Sequence, residues 1–287
     1  MHFTESAFPP FTLTRPTTPA IPLVADSPHS GTTYPADFDV SIPMSILRSA
    51  EDTYVDELWA GIADVGGTLL SANFPRSYID ANRAITDIDP GLLAEPWPDV
   101  LAPTEKSTTS GHGLLWRNVR NTPIYNRKLW VAEVENRIAT YYQPYHHTLR
   151  EHIEAARKQF GHVWHLNLHS MPSDTWEVLG VSPAPPLADI ILGDLDGTSC
   201  DPTLTGIVDD FFRAAGYRVA RNVPFKGATL VEMFGRPASH YNSLQIEVNR
   251  GLYMDERTFE KTDGFEPLKA TLDDLALHIA QFVRSVL

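Results

Sequence analysis

VWHLNLHS, residues 163–170, alternates with a period of two: Val163, His165, Asn167 and His169 fall on one face of an extended chain, and Trp164, Leu166 and Leu168 on the other. The pattern predicts a strand. His169 stands at its end, where α/β folds present ligand groups. The same arrangement occurs upstream, where IPLVAD (21–26) reads as a buried strand opening into the turn-prone SPHSGTTYP. His29 lies in that loop, flanked by Pro28 and Gly31. YNSLQIEV (241–248) is a third strand, facing Leu244, Ile246 and Val248 one way and Gln245, Glu247 and Asn249 the other.

Working outward, Val55, Leu58, Trp59, Ile62 and Val65 recur at helical spacing, with Gly66-Gly67 as the stop. GTLLSA (67–72), RSYIDA (76–81), ADIILGD (188–194) and GYRVARN (216–222) read as further strands. Helices are expected over 126–160, where Pro144 should break or kink the run, over 204–215 and over 267–286. The Pro-rich passage 89–109 reads as a long loop or lid. Residues 1–20, rich in Pro and Thr without a sustained period, read as an irregular arm. Strands alternate with helices without an internal repeat, which predicts one α/β domain over 21–287 with a largely parallel or mixed central sheet flanked by helices.

Bulk properties narrow the function. At 287 residues and 43% hydrophobic composition the chain can bury a core without staples, and its only cysteine, Cys200, excludes an intramolecular disulfide. The first residues lack the basic-then-apolar pattern of a secretory signal, so the cytoplasm is the expected compartment. No run approaches the length needed to span a bilayer. A net charge of −13 without a Lys/Arg run argues against nucleic acid as a partner. A small anion remains possible if a few arginines converge in one cleft.

Two strand-end histidines suggest a metal, although either imidazole could simply satisfy a loop hydrogen bond. A catalytic ion needs a third protein ligand. Asp52 continues the buried stripe of the helix backwards, where an apolar residue is expected, so its carboxylate must be paired, capping or bound to a cation. It could equally be the N-cap of that helix. Asp56 is the alternative ligand. Glu247, on the polar face near the end of its strand, is either a surface acid or a general base. FPRSYIDANR (74–83) offers Arg76 and Arg83 with Asp80 and Asn82 between them. An Arg76–Asp80 pair is the structural alternative to a grip on a substrate carboxylate or oxyanion.

SPHSG, RSYIDANR, GHGLLWR, NLHSMPS, LGDLDGTSC, NVPFKGA and LQIEVNRGLYMDE, in this order and spacing, resemble the N-formylglutamate amidohydrolases, or N-formylglutamate deformylases, of histidine degradation. The resemblance implies a zinc-carboxypeptidase-like fold, also shared with aspartoacylases, built on a mixed eight-stranded sheet. It implies one zinc ion held by His29, His169 and an acid, Glu247 as base, Arg76 as oxyanion donor, and Asn82 with Arg83 as the clamp on a substrate carboxylate. The relatives' acid ligand follows the first histidine by three positions; Thr32 stands there, so the acid must come from elsewhere, Asp52 or, as the alternative, Asp56. ATLVEMFG after PFKG also departs from the glycine-rich versions of many members. The implied substrate, N-formylglutamate, carries two carboxylates and needs a second cationic contact, for which Arg117 and Arg250 are candidates with His112 as a polar neighbour. The alternatives are a zinc hydrolase for another N-acyl amino acid or a peptide C-terminus, and a small-anion binder without catalysis.

Overall fold

Val163–Met171 is extended as predicted, and every one of its residues is buried. A strand covered on both faces must find its hydrogen bonds in neighbouring strands on both edges. The computed structural model, which describes residues 8–287, supplies them in one mixed sheet. Its strands are β1 (Phe11–Thr14), β2 (Leu23–Ser27), β3 (Thr68–Ala72), β4 (Val163–Met171), β5 (Ile190–Gly193), β6 (Val219–Arg221) and β7 (Tyr241–Asn249), in the spatial order β1-β3-β2-β4-β7-β5-β6. β4 lies parallel to β2 and to β7, with Asp26 opposite Asn167 and His169 opposite Glu247. β5 runs antiparallel to β7 and parallel to β6. The sheet is therefore mixed, as expected, but among the described residues it has seven strands, not the implied eight.

Contacts gather into two units. The larger comprises Leu13–Ser27, Asp52–Leu70 and Arg150–Leu287. Its core joins Trp164, Leu166 and Leu168 of β4 with Leu244, Ile246 and Val248 of β7 and the apolar stripe of the helix Phe265–Ser285. Leu268, Leu272, Leu275, Ile279 and Val283 of that helix lie on one side at helical spacing, so a single face meets the sheet. All five predicted positions from Val55 to Val65 also enter this core, but the expected helix is cut into one turn, Val55–Leu58, and a tighter one, Ala60–Ile62. Gly61 sits against the C-terminal helix so closely that a Cβ would come within 2.2 Å of Asp273 Oδ1.

The other unit comprises Pro28–Glu51 and Ser71–Leu149 with the end of the N-terminal segment. Arg137 is fully buried there, donating to the Tyr78 carbonyl and the Tyr125 hydroxyl and pairing with Glu133. The chain is helical from Val131 to Phe160, with a wide turn over Ile138–Tyr142. Pro144 lacks an N–H and crowds the carbonyl one turn back, and the wide turn accommodates it without ending the helix.

Two further expectations differ from the structure. Residues 76–81 are not a strand: turn bonds from Tyr78 N to the Pro75 carbonyl and from Arg83 N to the Asp80 carbonyl fold the segment back, and side chains converge on Asp80. The N-terminal arm is not irregular throughout, because β1 adds to the sheet edge beside β3, a position at which flanking prolines cost no ladder bonds. The rest of that expectation, over residues 1–7, lies outside the described residues. Among the described residues, no helix is long and apolar enough to cross a membrane.

Candidate active site

The ends of β4 and β7 bring His169 and Glu247 side by side on one face of the sheet. Glu247 Oε1 accepts a hydrogen bond of 2.9 Å from Gln245 Nε2, two residues back on the same face. His169 has Asn167 Oδ1 at 2.8 Å from its Nε2 and Asp52 Oδ2 at 3.1 Å from its Nδ1. Asp52 is fully buried and does not cap the following helix: Tyr54 holds the N-cap position in a left-handed conformation and no side chain caps it. The other Asp52 oxygen accepts from Arg250 Nη2 at 2.8 Å, and Arg250 Nε donates to Ser170 Oγ at 3.1 Å. The Asp56 side chain is only partly buried, and burial raises its pKa.

Around His29 the organising group is Asp80. Its Oδ1 receives His29 Nε2 at 2.6 Å and the Asn82 backbone N–H at 2.8 Å; its Oδ2 receives Arg76 Nη2 at 3.1 Å and Trp116 Nε1 at 3.0 Å. Burial alone would raise the pKa of this carboxyl, but His29, Arg76 and Arg83 hold it well below the usual carboxylate range. The Arg76 guanidinium also lies over the Trp116 ring, 4.7 Å from its centre, and His112 stacks on the same ring at 4.2 Å. Burial, with the positive charges of Lys106, Arg76 and Arg83 nearby, pushes the His112 pKa down to about 3, so its ring is neutral at physiological pH. This wall is cationic inside an acidic protein. Gly31 is required beside it, since a Cβ would meet the Phe74 carbonyl oxygen at 2.2 Å.

One ligand atom each from His29, Asp52 and His169 lies within 4.8 Å of the other two, and all three residues are buried. Two imidazoles and a carboxylate are the donor types that hold a catalytic ion while leaving a coordination position for water. The donor set fits a metal, and this group could bind one.

The model of the N-formylglutamate amidohydrolase family matches residues 21–254. The chain belongs to this family. Two N-formylglutamate deformylases are similar along most of their length. That of Pseudomonas putida is 28% identical over 241 residues, 82% of this chain and 83% of the relative. That of Pseudomonas aeruginosa is 27% identical over 262 residues, 89% and 91% of the two chains. A crystal structure of an N-formylglutamate amidohydrolase from Ralstonia eutropha is 54% identical with a TM-score of 0.95, covering 98% of this chain and 100% of that one. A gene product of Agrobacterium tumefaciens, 16% identical with a TM-score of 0.68 over 96% of each chain, shares the fold.

Every candidate residue of this amidohydrolase lies within the family match. The structure gathers His29, Asp52 and His169, sets Glu247 opposite His169, and ties Arg76 to Asp80. It disposes of the proposed second cations differently. Arg250 is buried against Asp52 and Ser170, and Arg117 is engaged by Asp89 and by the Thr108 carbonyl. Arg83 Nε and Nη1 reach the carbonyls of His112 and Asn82. The passage 89–109 contains a tight turn, Pro90–Leu92, and most of a short helix, Glu105–Ser110, and is tied down by Asp87 accepting from the Thr104 backbone and by Arg117. Sequence reading missed Asn167, Trp116 and the Arg250–Asp52 pair. For Asn167 the signal was present, since a polar residue two positions before a strand-end histidine on the same face lies within reach of it.

Proposed function

We propose that this chain hydrolyses the formyl amide of N-formyl-L-glutamate to formate and L-glutamate, using one zinc ion held by His29, Asp52 and His169. What carries the reading is the buried His-Asp-His group, with Glu247 beside it, in a chain of this family. An ion bound there would supply Lewis acidity, lowering the pKa of a water toward neutrality and polarising the formyl carbonyl.

The remaining work falls to side chains. Glu247 stands outside the ligand group and is oriented by Gln245, so it can take the proton of the attacking water and deliver it to the leaving amine nitrogen. Arg76, held by Asp80 and Trp116, donates to the oxyanion that develops on the formyl oxygen. Asp80 orients His29 in the way that a carboxylate behind a ligating imidazole does. Arg83 and Asn82, with neutral His112 as a polar contact, take the substrate carboxylates. Arg250 balances the charge of Asp52 and keeps its second oxygen turned toward His169.

The test is a substrate panel on metal-analysed protein. We expect stoichiometric zinc and the highest kcat/KM on N-formylglutamate among N-formylglutamate, N-acetylglutamate, N-formylaspartate and short peptides. Comparable turnover of an acetyl or peptidyl substrate would overturn the formyl specificity. Protein without zinc and without activation by added divalent ions would overturn the metal mechanism.

A further inference from the structure

Behind His169, the buried face of the sheet holds a carboxylate, an amide, an imidazole and a hydroxyl that the chemistry above does not use: Asp26, Asn167, His165 and Ser243, all fully buried. Such groups are costly to bury unless each is hydrogen-bonded. Here they are, and their bonds converge on Asp26, that of Ser243 through His165. Asp26 Oδ1 takes Asn167 Nδ2 at 2.8 Å and His165 Nε2 at 2.9 Å, while His165 Nδ1 meets Ser243 Oγ at 2.8 Å.

We infer that Asp26 and Asn167 are positioning residues that determine which nitrogen of His169 faces the metal; the inference rests on His169 being a ligand. A carboxylate accepts hydrogen bonds, so Asn167 must turn its NH₂ group toward Asp26. Its carbonyl oxygen then faces His169 Nε2 at 2.8 Å, and a carbonyl only accepts, so Nε2 carries the hydrogen. In the neutral imidazole the lone pair is consequently on Nδ1, the nitrogen 3.1 Å from Asp52 Oδ2. A lone pair and a carboxylate oxygen held face to face repel each other, and a cation between them makes both into ligands. The acceptor oxygen of Asp26 is thus read through one amide as a fixed tautomer at the centre. Asn167 pairs in register with Asp26 across β2 and β4, so the backbone ladder itself sets the relay.

The protein loaded with the spin-half cadmium isotope and isotopically labelled at histidine nitrogens tests this directly by NMR. Expected is cadmium coupling at Nδ1 of His169 with a proton on Nε2. Coupling at Nε2 overturns the relay while leaving the metal centre intact; no coupling at either histidine ligand overturns the metal reading and the relay with it. A second measurement is zinc affinity by chelator competition. Asn167→Leu, which removes the acceptor while leaving the ligands and Glu247 in place, is expected to weaken zinc by about 10–100-fold, the usual effect of losing such an outer partner. Unchanged affinity would refute the inference, and the wild-type NMR stands if the variant does not fold.

Discussion

Arg250→Met tests how Asp52, the proposed acid ligand, is kept in place. Asp52 is fully buried, and Arg250, itself 4% exposed, is the cation that pairs with it at 2.8 Å. Methionine has similar length and no charge, so the variant leaves a buried carboxylate with its main compensating charge removed. Breaking a buried pair from one side costs about 3–5 kcal/mol. With an unfolding entropy of about 2.1 cal/mol/K per residue, a chain of 287 residues loses roughly 1.7 °C of Tm per kcal/mol, so the metal-free variant should melt about 5–8 °C lower. A bound divalent ion compensates the same carboxylate, so the loss in the zinc-loaded protein should be smaller. The increment in Tm on adding zinc is therefore expected to be larger in the variant than in the wild type, by calorimetry at equal zinc activity. An equal loss in both forms would show that Asp52 does not face the ion, and no loss in the metal-free form would show that the Arg250–Asp52 pair does not support the fold.

Three other outcomes follow from the geometry. Glu247→Gln preserves the hydrogen-bonding shape beside Gln245 but cannot take a proton; it should retain zinc and lose about 10²–10⁴-fold in kcat, and retained turnover would remove Glu247 from its role. Arg76→Ala should lower kcat by about 10²–10³-fold with zinc content unchanged, whereas an effect confined to KM would make Arg76 a ground-state contact. Burial pushes the Cys200 thiol up to about 12, so below that pH it stays a protonated, inaccessible thiol; an aromatic disulfide reagent at pH about 8 should react only after denaturant is added, and prompt reaction with native protein would contradict the packing.

The strands and the closing helix were legible because their periodicity is set by burial: Trp164, Leu166 and Leu168 could face only the core, which left His165, Asn167 and His169 for the other side. RSYIDA misled for a physical reason. Its alternation resembles a strand, yet Asp80 is a better acceptor for side-chain and loop donors than a strand position allows; its pairing with Arg76 is local and legible, but its pull toward His29 and Trp116 is a long-range effect that no local pattern encodes. The buried stripe favours Asp52 over Asp56 in the sequence, but the two stand one turn apart on the same segment and the stripe alone does not decide between them. The left-handed Tyr54 between them separates the two: it starts the helix after Asp52, so Asp52 keeps its carboxylate for His169 and Arg250 while Asp56 stays within the first turn.

The same distinction explains why the arginines were harder to assign than the histidines. A histidine at a strand end has few places to point. An arginine reaches far enough to find a carboxylate almost anywhere, and whether it serves substrate or scaffold depends on which acid it meets first. Arg250 meets Asp52, and Arg117 meets Asp89, so both charges are committed within the protein. Arg76 and Arg83 share the surroundings of a single carboxylate, Asp80, that also serves His29 and Trp116. Two guanidinium charges against one carboxylate leave a net positive charge there, reinforced by Lys106 near His112. A charge of −13 spread over the chain is screened beyond roughly 8 Å at physiological ionic strength, so it does not cancel this local excess. An acidic protein can thereby receive an acidic substrate.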